Sequence, residues 1–270
     1  MASAHAKLRM PAVNPRLLLG ALLVAASLLT AAAAEDATEG NFPDLESAEA
    51  LYRREGPEAA LPVFEELVQA LEGAGDVRSE AIAIGFLGEI HWRLGAYEKS
   101  HQYLEQALEK KRAIGDRLQE GKTLNVLGLL HWDLGEFGQA QAYFRDAAEI
   151  AASVGDKRLQ GAILNNLSLV HDELGDYYVS VEQYRRVLDL YEEADFPRGR
   201  GDTLGNLGGV YLLLGRFDEA LEHYRQALAI SEQLGSTISL SQDHGNVALC
   251  YLGLGQVELS LAHFDQAIAL

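Results

Sequence analysis

The chain has 270 residues and a net charge of −18, from 40 acidic and 22 basic side chains. Its 48% hydrophobic content is enough for a core and excludes a disordered chain. The acid excess excludes a general nucleic-acid binder, which needs a basic face against phosphate. The lone cysteine excludes an intrachain disulfide, Cys-based metal sites and a CxxC redox pair.

Residues 1–34 contain no acid. Lys7, Arg9 and Arg16 lead an apolar run, Leu17 to Ala34, that ends in Ala32-Ala33-Ala34. A positive start, an apolar middle and small residues at the end mark a secretory signal peptide. Cleavage is expected before Glu35, which sends the protein to the periplasm or the extracellular space. Met10 would also start a complete signal. An uncleaved anchor is the alternative, with eighteen apolar residues at the short end of a bilayer span. No cysteine lies near the cleavage site, so lipoprotein processing is excluded.

Residues 35–45 read as a flexible acidic lead. Residues 46–74 read as a degenerate partial repeat, because Ala60, Phe64 and Leu67 fall forty residues before Ser100, Leu104 and Ala107. A period of forty then runs to the last residue. Gly75-Asp76, Gly115-Asp116 and Gly155-Asp156 keep it, with Asp195 and Gly235 in phase. Leu94-Gly95, Leu134-Gly135, Leu174-Gly175, Leu214-Gly215 and Leu254-Gly255 keep it too. A fixed period of this size means an array of supersecondary units. The units are 75–114, 115–154, 155–194, 195–234 and a shortened 235–270.

Inside the first unit, Ile84, Leu87, Gly88 and His91 form one apolar stripe at helical spacing. Tyr97, Ser100, Leu104, Ala107 and Leu108 form a second. The Leu-Gly pair predicts a left-handed glycine closing the first helix. The Gly-Asp pair predicts a second such turn, then an N-cap for the next unit. Pro197, the single proline in residues 63–270, falls in a first turn, where proline is tolerated. Each unit is therefore a helical hairpin, and the fold class is all-α.

The stripes read Leu124-Leu127-Gly128-His131 with Ala140-Phe144-Ala147, and Leu204-Leu207-Gly208-Tyr211 with Ala220-Tyr224-Ala227. This spacing resembles tetratricopeptide repeats. The chain departs from that family where His replaces the aromatic in three units. It departs again where Arg112, Ala152, Glu192 and Glu232 stand in place of the closing proline. It is similar to a long-repeat branch of the family. The resemblance implies a right-handed superhelical α-solenoid of antiparallel hairpins whose first helices line a concave groove. Carried onto this chain, the family's groove positions include Glu89, Trp92, Asn125, Trp132, Asp133, Asn165, Asn166, Asp172, Asn206 and Asn246. Asn amides can donate to and accept from a peptide backbone, and tryptophan is enriched at binding hot spots. The implied partner is a protein or peptide. Signal-bearing arrays of this kind also resemble those that precede CHAT-type protease domains, so the alternative is the regulatory arm of a longer enzyme. A third reading is self-association through the last unit, whose second helix has no polar cap.

Other constellations carry less. His91, His131 and His171 share one repeat position, but neighbouring helix axes lie about 8–10 Å apart while a zinc ligand must approach to about 2.1 Å. Tyr211 and Tyr251 hold that position later, so the histidines read as packing aromatics and no metal is expected. Cys250 aligns with Ile90, Leu130, Val170 and Val210, which predicts burial. Arg200-Gly201-Asp202, the Asn166-Leu167-Ser168 sequon and an internal His171-Asp172-Glu173-Leu174 all fall within repeat helices, the wrong setting for the motifs they spell. Gly205, Gly208 and Gly209 lack the preceding strand of a phosphate loop and read as close helix packing. No catalytic constellation stands out, so the reading is non-enzymatic, with no cofactor.

Overall fold

The computed structural model describes residues 44–270. The expected signal peptide and most of the acidic lead lie outside the described residues. Among the described residues twelve helices follow one another: α1 (Leu45–Glu55), α2 (Pro57–Leu71), α3 (Val77–Arg93), α4 (Tyr97–Ala113), α5 (Arg117–Asp133), α6 (Phe137–Ser153), α7 (Lys157–Leu174), α8 (Tyr177–Glu193), α9 (Pro197–Leu213), α10 (Phe217–Leu234), α11 (Thr237–Gly253) and α12 (Val257–Ala269). No strand occurs among the described residues. None of these helices is long and apolar enough to cross a membrane.

The ends of the helices follow from single side chains. Asp44, Asp76, Asp116 and Asp156 each accept a hydrogen bond from the backbone N–H three residues on, as does Ser236. That satisfies one of the donors a helix N-terminus leaves free. Phe196 cannot do this for α9; Pro197 at its first position removes one donor instead. At the other end, Gly135 adopts φ 74°, a region that a Cβ disfavours. Its N–H donates to Trp132 O, and Glu136 N–H to His131 O, capping carbonyls that α5 leaves open. Gly95, Gly175, Gly215 and Gly255 share this geometry, with φ between 70° and 79°. In the turns between units Asp195 takes the place of a glycine, and among the described residues it is the one non-glycine residue with positive φ, 46°.

Within a hairpin, the first helix comes close to the second at a small residue. A Cβ on Gly128 would lie 2.5 Å from the Phe144 ring, and one on Gly88 2.6 Å from Leu104. Phe144, Leu104, Tyr184 and Tyr224 are buried in these contacts. One apolar cluster runs from Trp92 and Leu104 through Leu127, Leu130 and Phe144 to Leu167, Val187 and Tyr191, joining units without interruption. Each second helix packs on its own first helix and on the next one, while successive first helices also touch. The first helices therefore form the inner layer of an all-α solenoid and the second helices the outer layer.

The histidines take part in this packing. His91 stacks on Tyr103 and His131 on Tyr143, with ring centroids 5.3 and 5.1 Å apart. In the later units the partners exchange helices, and Tyr211 stacks on His223 and Tyr251 on His263. Cys250 is fully buried, and burial pushes its thiol up to about 11. Of the three clustered glycines, only Gly208 is explained by close packing, 3.0 Å from Tyr224. A Cβ on Gly205 would meet nothing within 4 Å, and one on Gly209 only the Tyr224 hydroxyl at 3.5 Å. The packing account is corrected for Gly205, which faces open space, while Gly209 stands at ordinary contact distance from Tyr224 with no need for glycine.

Candidate functional site

The ten groove candidates all lie on the inner helices α3, α5, α7, α9 and α11. Most of them bond to one another or to the scaffold. Trp92 is 4% exposed, so its indole is part of the core and offers a ligand little surface. Its Nε1–H donates to Asp133 on the next inner helix at 2.7 Å. Burial raises the Asp133 carboxyl, and the indole donor offsets part of that rise. Glu89 accepts from the Tyr52 hydroxyl of α1 at 2.9 Å and from Arg93 Nε at 3.2 Å. The Arg93 guanidinium lies over both the Tyr52 and the Trp92 rings.

Four asparagines pair across successive units. Asn166 Nδ2 donates to Asn125 Oδ1 at 3.0 Å, and Asn206 Nδ2 to Asn165 Oδ1 at 3.1 Å. The Thr203 hydroxyl also reaches Asn165 Oδ1, at 3.4 Å. Asp172 interrupts the Trp, Trp, Leu, Leu run at its repeat position, yet it too is tied into the packing. Its Oδ2 accepts from the buried Tyr184 hydroxyl at 2.7 Å, and burial pushes the carboxyl up to about 6. Its Oδ1 is buried without a partner.

Trp132 and Asn246 stand apart from this. Trp132 is half-buried against the apolar cluster and keeps an open edge. Among the described residues Asn246 has no hydrogen-bond partner at the position where Asn166 and Asn206 find one, because Gly205 stands where an asparagine would be. Beside it, a Cβ on Gly205 or Gly245 would meet open space. Leu252, in phase with Trp132, is 49% exposed, and Leu213 is 58% exposed. The inner layer thus divides into a polar seam that holds itself together and an open, partly apolar region over α9 and α11.

Tyr52 and Arg93, which complete the seam, were not among the sequence candidates. Arg93 follows Glu89 at i+4 and was open to detection; Tyr52 was not, since it lies in the degenerate unit.

Tetratricopeptide repeat patterns match residues 45–116, 119–193 and 199–270. The chain belongs to the tetratricopeptide repeat family. Among solved structures the array is similar to BtubC (BKLC) from P. vanneervenii, at 20% identity and TM-score 0.65, covering 84% of this chain and 86% of that one. It is also similar to aspartyl phosphate phosphatase F from Bacillus subtilis, at 18% identity and TM-score 0.66, covering 82% and 67%. A Rap protein in complex with competence and sporulation factor matches at 18% identity and TM-score 0.68, covering 81% and 61%. At these identities the likeness is one of fold. No curated protein sequence matches the chain.

Proposed function

We propose that this repeat array is a non-enzymatic scaffold that binds an extended segment of a partner protein along its inner layer, in an exported compartment. Two structural relatives are Rap proteins seen in complex with a partner, one with competence and sporulation factor and one with the Phr* peptide, which favours a polypeptide ligand. The observation that carries the reading is the open part of the inner layer. Leu213 and Leu252 leave apolar surface in water there, Trp132 keeps an open edge on α5 of the same layer, and Asn246 holds an amide able to bond a backbone both ways. Burying such an edge is worth about 25 cal/mol per Å². The acid-free leader ending in Ala32-Ala33-Ala34 supports export.

Affinity purification from the exported fraction, followed by synthesis of the captured segment, tests the proposal. Trp132→Ala and Asn246→Ala should each weaken that segment's binding about tenfold, the 1–2 kcal/mol expected of one anchor, while outer-layer Glu149→Ala leaves it unchanged. Equal loss from the outer-layer variant, or none from the inner pair, would overturn it.

A further inference from the structure

At least one polar side-chain bond bridges each pair of neighbouring inner helices, up to a point. Tyr52 to Glu89 joins α1 to α3, and Trp92 to Asp133 joins α3 to α5. Asn166 to Asn125 joins α5 to α7, and Asn206 to Asn165 joins α7 to α9. Among the described residues no side-chain bond joins α9 to α11. The register explains why. The two asparagine rungs each span 41 residues, so Asn246 would reach back to position 205, where glycine has no side chain to accept.

The outer side of the same junction keeps its bonds. Arg225 Nη2 donates to the Tyr251 hydroxyl at 2.5 Å, and Ser231 Oγ to Asp243 Oδ2 at 2.6 Å, both from α10 to α11. The fifth hairpin is therefore fastened at its outer seam and unfastened at its inner one. A body held along one edge can rotate about that edge.

We infer that the α9–α11 step is a hinge built into the array: α1 to α10 form a braced body, and the α11–α12 hairpin swings about the α10–α11 seam, opening and closing the inner layer beside Asn246. The missing rung is the device. Glycine inside a helix is less favourable than alanine, and at Gly205 no neighbour fills the space that a Cβ would take.

The hinge is tested by restoring the rung. Gly205→Asn places an acceptor 41 residues before Asn246, as in the two rungs present. Spin labels are placed on equivalent exposed sites of the outer helices, Gln106 with Arg186 and Arg186 with Gln266, in a Cys250→Val background. Valine is the residue at that position in two other units. Pulsed dipolar distance distributions should be broader for Arg186–Gln266, which spans the unbraced step, than for Gln106–Arg186, which spans two braced ones. Gly205→Asn should narrow the first towards the second. Gly205→Ala should not, and Asn246→Ala should cancel the effect of Gly205→Asn. Equal widths in the parent chain would overturn the hinge. So would equal narrowing by Gly205→Ala and Gly205→Asn, which would assign the motion to helix propensity and terminal fraying.

Discussion

Lys111 offers the sharpest energetic test of the packing. It lies on α4 with 3% of its surface exposed, between α3 and α5. Its ammonium donates to Thr123 Oγ1 at 2.7 Å, and among the described residues no other acceptor bonds it. Glycine at position 85 leaves room for it: a Cβ there would lie 2.6 Å from Nζ. Burial pushes the amine down to about 8 from 10.5, with Lys122 adding to the fall and Asp116 and Glu89 opposing it. A folded pKa below the unfolded one means that the folded state holds the proton less tightly. The cost is present in full below pH 8, and it disappears as pH rises towards 10.5. At 1.36 kcal/mol per unit this is about 3 kcal/mol at neutral pH. Lys111→Met keeps the length of the stem and removes the charge. It forfeits one hydrogen bond, worth about 1 kcal/mol. Thr123 keeps its own bond to Gln119 O. The variant should therefore gain about 1–3 kcal/mol at pH 7 and lose that advantage by pH 10.5. Urea denaturation of both chains at pH 7, 9 and 10.5 reads the difference. A Met variant that is less stable at pH 7, or equally favoured at all three pH values, would refute the reasoning.

Gly135→Val should lower stability by about 1 kcal/mol or more, because valine tolerates positive φ poorly; Asp195→Gly should raise it by up to about 1 kcal/mol for the same reason, and thermal melts read both. Burial raises the Asp243 carboxyl to about 6, with its bond to Ser231 opposing the rise and the Asp202 charge adding to it. Its folded pKa thus exceeds the ordinary 3.8, so the stability it contributes is full below pH 4 and is lost as pH rises through 6. Asp243→Asn should be more stable than the parent at pH 7, by about 1–3 kcal/mol, and no better at pH 4; urea midpoints at the two pH values check this. N-terminal sequencing of protein from the expressing host should begin at Glu35, and an intact start in the membrane fraction would favour the anchor.

The hairpins and their turns were legible because each rests on one local rule repeated at one phase. The N-caps Asp76, Asp116, Asp156 and Ser236 and the left-handed glycines from Gly95 to Gly255 need no knowledge of neighbours, and they stand where the forty-residue period puts them. The inner face was harder to read. Asn125, Asn165, Asn166 and Asn206 looked like ligand contacts because a polar residue on a groove helix has no partner within its own helix. Their partners lie 41 residues away, at a distance set by how adjacent units stack. Trp92 and Trp132 share a repeat position, yet the first is buried and the second half-open, since each has different neighbours. Gly205 and Gly208, three residues apart on α9, differ in the same way: only one faces the second helix. Lys111 carried a readable signal, because Leu71, Ala151, Tyr191 and Ser231, at its phase, are uncharged.

The binding surface is tested most directly by site-resolved photocrosslinking in the expressing host. A benzophenone amino acid is placed in turn at Trp132 and Leu252 of the inner layer, and at Glu149 and Asp189 of the outer layer. Adducts with a common partner should form from the two inner positions and not from the outer two. Adducts confined to the outer positions, or formed equally from both layers, would contradict binding along the inner layer.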